Sequence, residues 1–175
     1  MTGEEWYREF YKRALDDKGI NKSGLSTLEY TKAIGDFLKE MAESCGYTVT
    51  KERTAHGGGR LDQTWIKGQH VITIEHENEL STIDKEIDNL CDQGSQLKIL
   101  ITYAPDADFL PIAIETARRV ERGIAHRSAL QGEFLLVIAP YCEDGWAGDW
   151  AAFRSVAEIR MQPLRGKPAK REMKT

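Results

Sequence analysis

This sequence predicts an α/β fold, a mixed sheet with helices on both faces, and three observations carry the expectation. The stretch from Arg60 to Glu79 reads as two extended segments around Lys67-Gly68-Gln69, a turn-like break. Two short apolar, β-branched runs follow, Leu97–Tyr103 and Glu133–Pro140, the signature of interior strands covered on both faces. Before and between them lie stretches whose apolar residues recur every three to four positions, the period of a helix with one buried face. Meander strands followed by helix-linked buried strands make such a sandwich.

The elements follow in order. Glu4 to Asp17 reads as a first helix, with Trp6, Phe10 and Ala14 at helical spacing, and acts as an accessory element on the core or at a dimer interface. Ser26-Thr-Leu-Glu29 is a capping box. It opens a strongly amphipathic helix with Tyr30, Ile34, Phe37, Leu38, Met41 and Cys45 on one face and Gly46 as its stop. Tyr47 to Arg53 alternates as a strand, and Ala55-His-Gly-Gly-Gly breaks it as a hairpin connection. After the meander, Ser81-Thr-Ile-Asp84 starts a helix with Ile83, Ile87, Leu90 and Cys91 on its buried side, ended by Gly94. A further helix from about Phe109 to His126 carries apolar Leu110, Ile114, Ala117, Val120 and Ile124, with Arg118, Arg119 and Arg122 on another side. Gly145 to Arg154 reads as loop or short helix, and Ser155 to Met161 as a final edge strand. The expected division is residues 1–24 as helix and connection, 25–160 as the core, and 161–175 as a flexible tail.

Composition narrows the function classes. At 175 residues, 41% hydrophobic and 30% charged, the chain suits a globular domain with one core. No apolar run approaches the roughly 20 residues of a membrane span. The start, Met-Thr-Gly-Glu-Glu-Trp, lacks the features of a signal peptide, so a cytoplasmic protein without a membrane partner is expected. Cys45, Cys91 and Cys142 are too scattered for a zinc ribbon or a disulfide framework. His56, His70, His76 and His126 also lack zinc-site spacing. A net charge of −4 counts against a generally basic nucleic-acid binder. The tail softens that objection, since Arg160, Arg165, Lys167, Lys170, Arg171 and Lys174 stand there against Glu172 alone. A solvated tail explains the same residues.

The chemistry concentrates between Arg60 and Glu79. Strand side chains alternate, so Glu75 and Glu77 point one way and Ile72, Ile74 and His76 the other. Two carboxylates on one face repel unless a cation sits between them, one keeps a proton, or both are solvated. Asp62, on the neighbouring strand, could supply a third oxygen. The competing structural readings are a turn-side ion pair of Asp62 with Arg60 or Lys67, a solvated strand end for Glu77, and a cap for Glu29. His76 is expected to pack or hydrogen-bond on the opposite face, Asn78 to cap the strand-to-helix turn, and Trp146 and Trp150 to pack rather than stack on bases.

This order of elements and acids resembles the PD-(D/E)XK nuclease superfamily, over Leu25 to Tyr103 and on through Tyr141. The resemblance implies a restriction-endonuclease-like sheet with core order αβββαβ. In that family an acid at the start of the second strand precedes an acid, any residue and a lysine in the third. Asp62 matches the first acid and Glu75 the second. Glu77 stands where lysine is usual, an E-x-E ending found in some members. The best match to the family's first-helix glutamate is Glu29.

The resemblance implies a nuclease using Mg2+, or Mn2+, to cleave DNA. Asp62, Glu75 and Glu77 would bind the metal, with Glu77 alternatively taking a proton from water. Lys85, in preference to Lys67, would supply positive charge for the phosphate. A homodimer would give the two sites that paired cuts in duplex DNA require. The alternatives are a relative that has lost catalysis and serves binding or assembly, motivated by the missing lysine, or another metal-dependent hydrolase.

Overall fold

Two capping boxes start the first helices. Thr2 accepts from the Glu5 N–H while Glu5 accepts from the Thr2 N–H, opening α1 (Gly3–Asp16). Ser26 and Glu29 make the same exchange at the head of α2 (Thr27–Ser44), which gives way at Gly46, where φ is +79°. Each exchange satisfies backbone donors that the first helical turn leaves without partners. In this computed structural model the described residues are 1–17, 20, 25–54, 60–126, 131–142, 145–146, 150–156 and 162–164.

β1 (Thr48–Thr54), β2 (Arg60–Lys67) and β3 (His70–Glu77) form an antiparallel meander. Gly68, at φ +60°, supplies the backbone conformation that the two-residue turn between β2 and β3 demands. From β3 the chain passes through α3 (Ile83–Cys91) to β4 (Leu97–Pro105). A 3-10 turn at Asp106–Asp108 and α4 (Phe109–Ala125) then lead to β5 (Glu133–Cys142). The short β6 (Gly145–Trp146), then β7 (Ala151–Val156) and β8 (Gln162–Leu164), follow. The sheet runs β1-β2-β3-β4-β5-β7-β8, with β6 beside β5. β3, β4 and β5 are parallel to one another and the remaining pairings antiparallel. The expected class, a mixed sheet flanked by helices, is what the chain adopts.

Each face of the sheet has its own core. On one face α1 and α2 bury Trp6, Phe10, Ile34 and Met41 against Ile72, Ile74, Ile99, Ile101, Leu135 and Val137. On the other, Ile83, Ile87 and Leu90 of α3 and Val120 and Ile124 of α4 close over Leu100, Phe134 and Leu136. α1 belongs to the larger core, and its Gly3 N–H donates to the Glu133 carboxylate at 2.8 Å, which ties the helix to the start of β5.

Several expectations need correction. Leu110 and Ile114 do not face the core: they are 63% and 40% exposed, and α4 buries Ala113, Thr116, Ala117, Val120 and Ile124 instead. The segment read as loop or short helix holds β6 and most of β7. β7 lies inside the sheet between β5 and β8 and takes in Ser155 and Val156, the only described residues of the edge strand expected over Ser155–Met161. Pro140 does not end β5, which continues to Cys142. A proline with no N–H is tolerated there because Pro140, paired with Ala104 of β4, falls between the registers of β7 and β6 on the other side of the strand. The glycine run at 57–59, residues 157–161 and the basic tail from Arg165 lie outside the described residues.

Candidate functional site

The meander delivers Asp62 and Glu75 to the same place. The β2–β3 ladder has its last pair at Gln63 and Ile74, and beyond it the two acids take over the pairing themselves. The Asp62 N–H donates to Glu75 Oε2 at 3.1 Å, and the His76 N–H donates to Asp62 Oδ2 at 2.8 Å. Each carboxylate thus satisfies the other strand's backbone where the strands part. The position is at the carboxyl end of a parallel strand, where ligand crevices of open α/β sheets form.

Burial separates the two acids. Asp62 is exposed, whereas Glu75 is 2% exposed, and its Oε1 has no hydrogen-bond donor among the described residues. Burial, then the Asp62 charge and the Glu86 carboxyl, push the Glu75 carboxyl up to about 9, against the opposing pull of the Asp62 N–H. Thr64 and Thr102 Oγ1, also buried without a described partner, lie on the strands flanking β3.

The other expected residues are distributed as follows. The Glu77 Oε1 accepts from the Glu79 N–H at 2.7 Å and so holds the turn after β3. Glu29 forms the α2 capping box. Lys85, 73% exposed, lies 3.7 Å from Glu86 at the rim of the acid cluster. Lys67 is at the far end of the hairpin, donating to the Cys45 carbonyl at 2.9 Å, and has no part in the site. His76 points to the opposite face as expected and shares a 2.7 Å hydrogen bond with the Tyr103 hydroxyl. Burial holds the His76 imidazole down at about 3, so it is neutral at physiological pH. Asn78 does not cap its own turn: its amide donates to Thr31 Oγ1 at 2.8 Å and ties the end of β3 to α2.

The arginines and Trp150 take structural positions. Arg118 and Arg122 pair with Glu115 on the α4 surface. Arg119 clamps α3, donating to Asp84 at 2.9 Å and to the Leu80 carbonyl at 2.7 Å. Trp150 packs edge-on against Phe10, and the Trp146 side chain lies outside the described residues.

Two ionisable residues went unread in the sequence. Glu86 follows a buried isoleucine by three positions and precedes another by one, a spacing that puts it at the margin of the buried face of α3. Lys98, hidden in an apolar run, is fully buried and donates to the Ser95 carbonyl at 2.8 Å and to the Gln131 carbonyl. Burial lowers its ammonium to about 8. Its head group faces the amino ends of β4 and β5, the end of the sheet opposite the acids.

Hard carboxylate oxygens, one of them buried with no donor, suit a hard divalent cation such as magnesium or manganese. As the side chains stand, no three His, Cys, Asp or Glu among the described residues converge on one metal-sized point. No helix among them is long and apolar enough to cross a membrane. Neither a protein-family profile nor a curated protein matches the chain.

Proposed function

We propose that this protein is a metal-dependent nuclease that hydrolyses phosphodiester bonds in DNA, with Asp62 and Glu75 holding the cation. The observation that carries the reading is Glu75 Oε1, a buried carboxylate oxygen with no donor, directly across the strand pair from Asp62. A bound magnesium would supply charge neutralisation for the phosphate and an acidified water. The chain's own part is to hold the acids against their mutual repulsion. β3 fixes Glu75 from the sheet, and the Asp62–His76 hydrogen bond fixes Asp62 at the strand end. Lys85, at the rim, is the cation available to steer a phosphate toward the acids.

The reading is tested with purified protein, plasmid and single-stranded DNA, and magnesium or manganese. Cleavage should fall by at least about a hundredfold in Asp62→Ala and in Glu75→Ala. Undiminished cleavage in both would sink the assignment.

A second reading has its own observation. Asp62 and Glu75 already cap each other's strand, a structural task that needs no metal. A binding or assembly module that lacks hydrolysis would keep both acids for that reason. It predicts no cleavage with either metal while DNA or partner binding persists.

A further inference from the structure

The two acids are held by different means. Glu75 is buried in the sheet, whereas Asp62 is exposed, so packing does not settle where its carboxylate points. Its Oδ2 accepts from the His76 N–H at 2.8 Å. The aim of that N–H depends on how β3 is seated at His76, which lies beyond the last β2–β3 pair at Ile74.

The seat is on the other face of the sheet. The His76 ring meets Tyr103 of β4 edge-on, with centroids 5.3 Å apart, and its Nε2 shares a 2.7 Å hydrogen bond with the Tyr103 hydroxyl. Nδ1 is buried with no partner among the described residues, so the hydroxyl is what orients the imidazole. Tyr103 is itself closely enclosed: it is buried and packs edge-on against Tyr30 of α2 at 5.4 Å and Trp150 at 5.8 Å. β3 stays paired with β4 through Glu77, and Asn78 pins its end to Thr31. Loss of the Tyr103 hydroxyl would therefore tilt His76 without peeling the strand away.

We propose that Tyr103, acting through the His76 imidazole, is a positioning residue that fixes the Asp62 carboxylate from across the sheet. The inference rests on the proposed role of Asp62 and deepens it by naming what sets the geometry of that carboxylate. Both rings lie on the face opposite the acids, so their part in the reaction is geometric.

The test is hydrogen exchange of the His76 amide, followed by NMR on the metal-free full chain, together with DNA-cleavage kinetics. Wild type, Tyr103→Phe and Tyr7→Phe are compared. Tyr103→Phe removes the hydroxyl and keeps the ring. Tyr7→Phe is the control, since it removes from the same core a hydroxyl that donates to the Trp150 carbonyl at 2.6 Å. In Tyr103→Phe the His76 amide should exchange at least about tenfold faster while those of Leu100 and Leu136 keep their rates. Its kcat should fall about tenfold with KM within about twofold, the mark of lost positioning rather than lost binding. Tyr7→Phe should leave both the His76 amide and kcat within about twofold of wild type. Unchanged exchange at His76 in Tyr103→Phe, equal quickening in Tyr7→Phe, or selective quickening with kcat unchanged overturns the inference and leaves the nuclease reading intact. Selective quickening at His76 in a protein that cleaves no DNA supports the hold on Asp62 and overturns the nuclease reading.

Discussion

Glu75 carries a conflict that makes the site measurable without any substrate. Its carboxyl is raised from an ordinary 4.5 to about 9 by burial and by the neighbouring acids, so between those values the folded chain holds a proton that the unfolded chain has lost. The stability from that proton is complete below the unfolded value and drains away as pH rises toward the folded one. His76, depressed to about 3, acts in the opposite sense below its ordinary 6.5, and Lys98, depressed to about 8, acts in the opposite sense from about pH 8 upward, so the clean window runs from about pH 7 to about pH 8. In metal-free protein, thermal melts from about pH 7 to about pH 8 should show wild-type Tm falling with pH, the one proton costing at most about 1.4 kcal/mol of stability for each step of one in pH. Glu75→Gln should flatten that fall and melt higher at the alkaline end. An equal fall in the variant would move the proton to another group. Manganese should stabilise the wild type most at the alkaline end, where the carboxylate is ready to bind.

At the scale of elements, the contact between α3 and α4 sets a measurable constraint. α3 is short, its Thr82 provides no side-chain cap, and its position depends on contacts with its neighbours. Gly123 lets α4 approach it: a Cβ there would lie 2.5 Å from Ile87 Cγ2, and Ile87 is a β-branched side chain with no room to yield. Gly123→Ala should therefore destabilise the fold by about 1–3 kcal/mol in urea titrations, and hydrogen exchange should quicken in α3 before it does in β4 or β5. An alanine tolerated without change would mean that the two helices are less tightly apposed.

Over the whole molecule, the sheet divides the labour between its faces. The α1/α2 face is the larger apolar core, though Gln63 is buried there with its amide on the Gly35 carbonyl, and Thr73, Glu75, Lys98 and Thr102 are all buried on the α3/α4 face. α1 is part of the foundation, because Trp6 is fully buried, stacks on Phe10 at 5.1 Å and meets Trp65 of β2 at 5.9 Å. Trp6→Ala should cost about 3–5 kcal/mol and lower the midpoint of one cooperative unfolding transition. A separate early transition confined to α1 would restore the view of that helix as an accessory.

The sequence by itself determined the α/β class, the capping box of Ser26 and Glu29, the β2–β3 hairpin at Gly68, and the opposite facing of Glu75 and His76. These are local matters, set by hydrogen bonds within one turn and by the alternation of strand side chains. Tertiary structure decided the rest. Leu110 and Ile114 follow a helical period but lie outside the arc of α4 that the sheet covers, and the strand status of Ala151–Val156 comes from pairing with β5. The two acids nearest in pattern, Glu75 and Glu77, were legible as a pair. That Asp62 and Glu75 would each accept from the other's strand was not, because that depends on where the β2–β3 ladder ends.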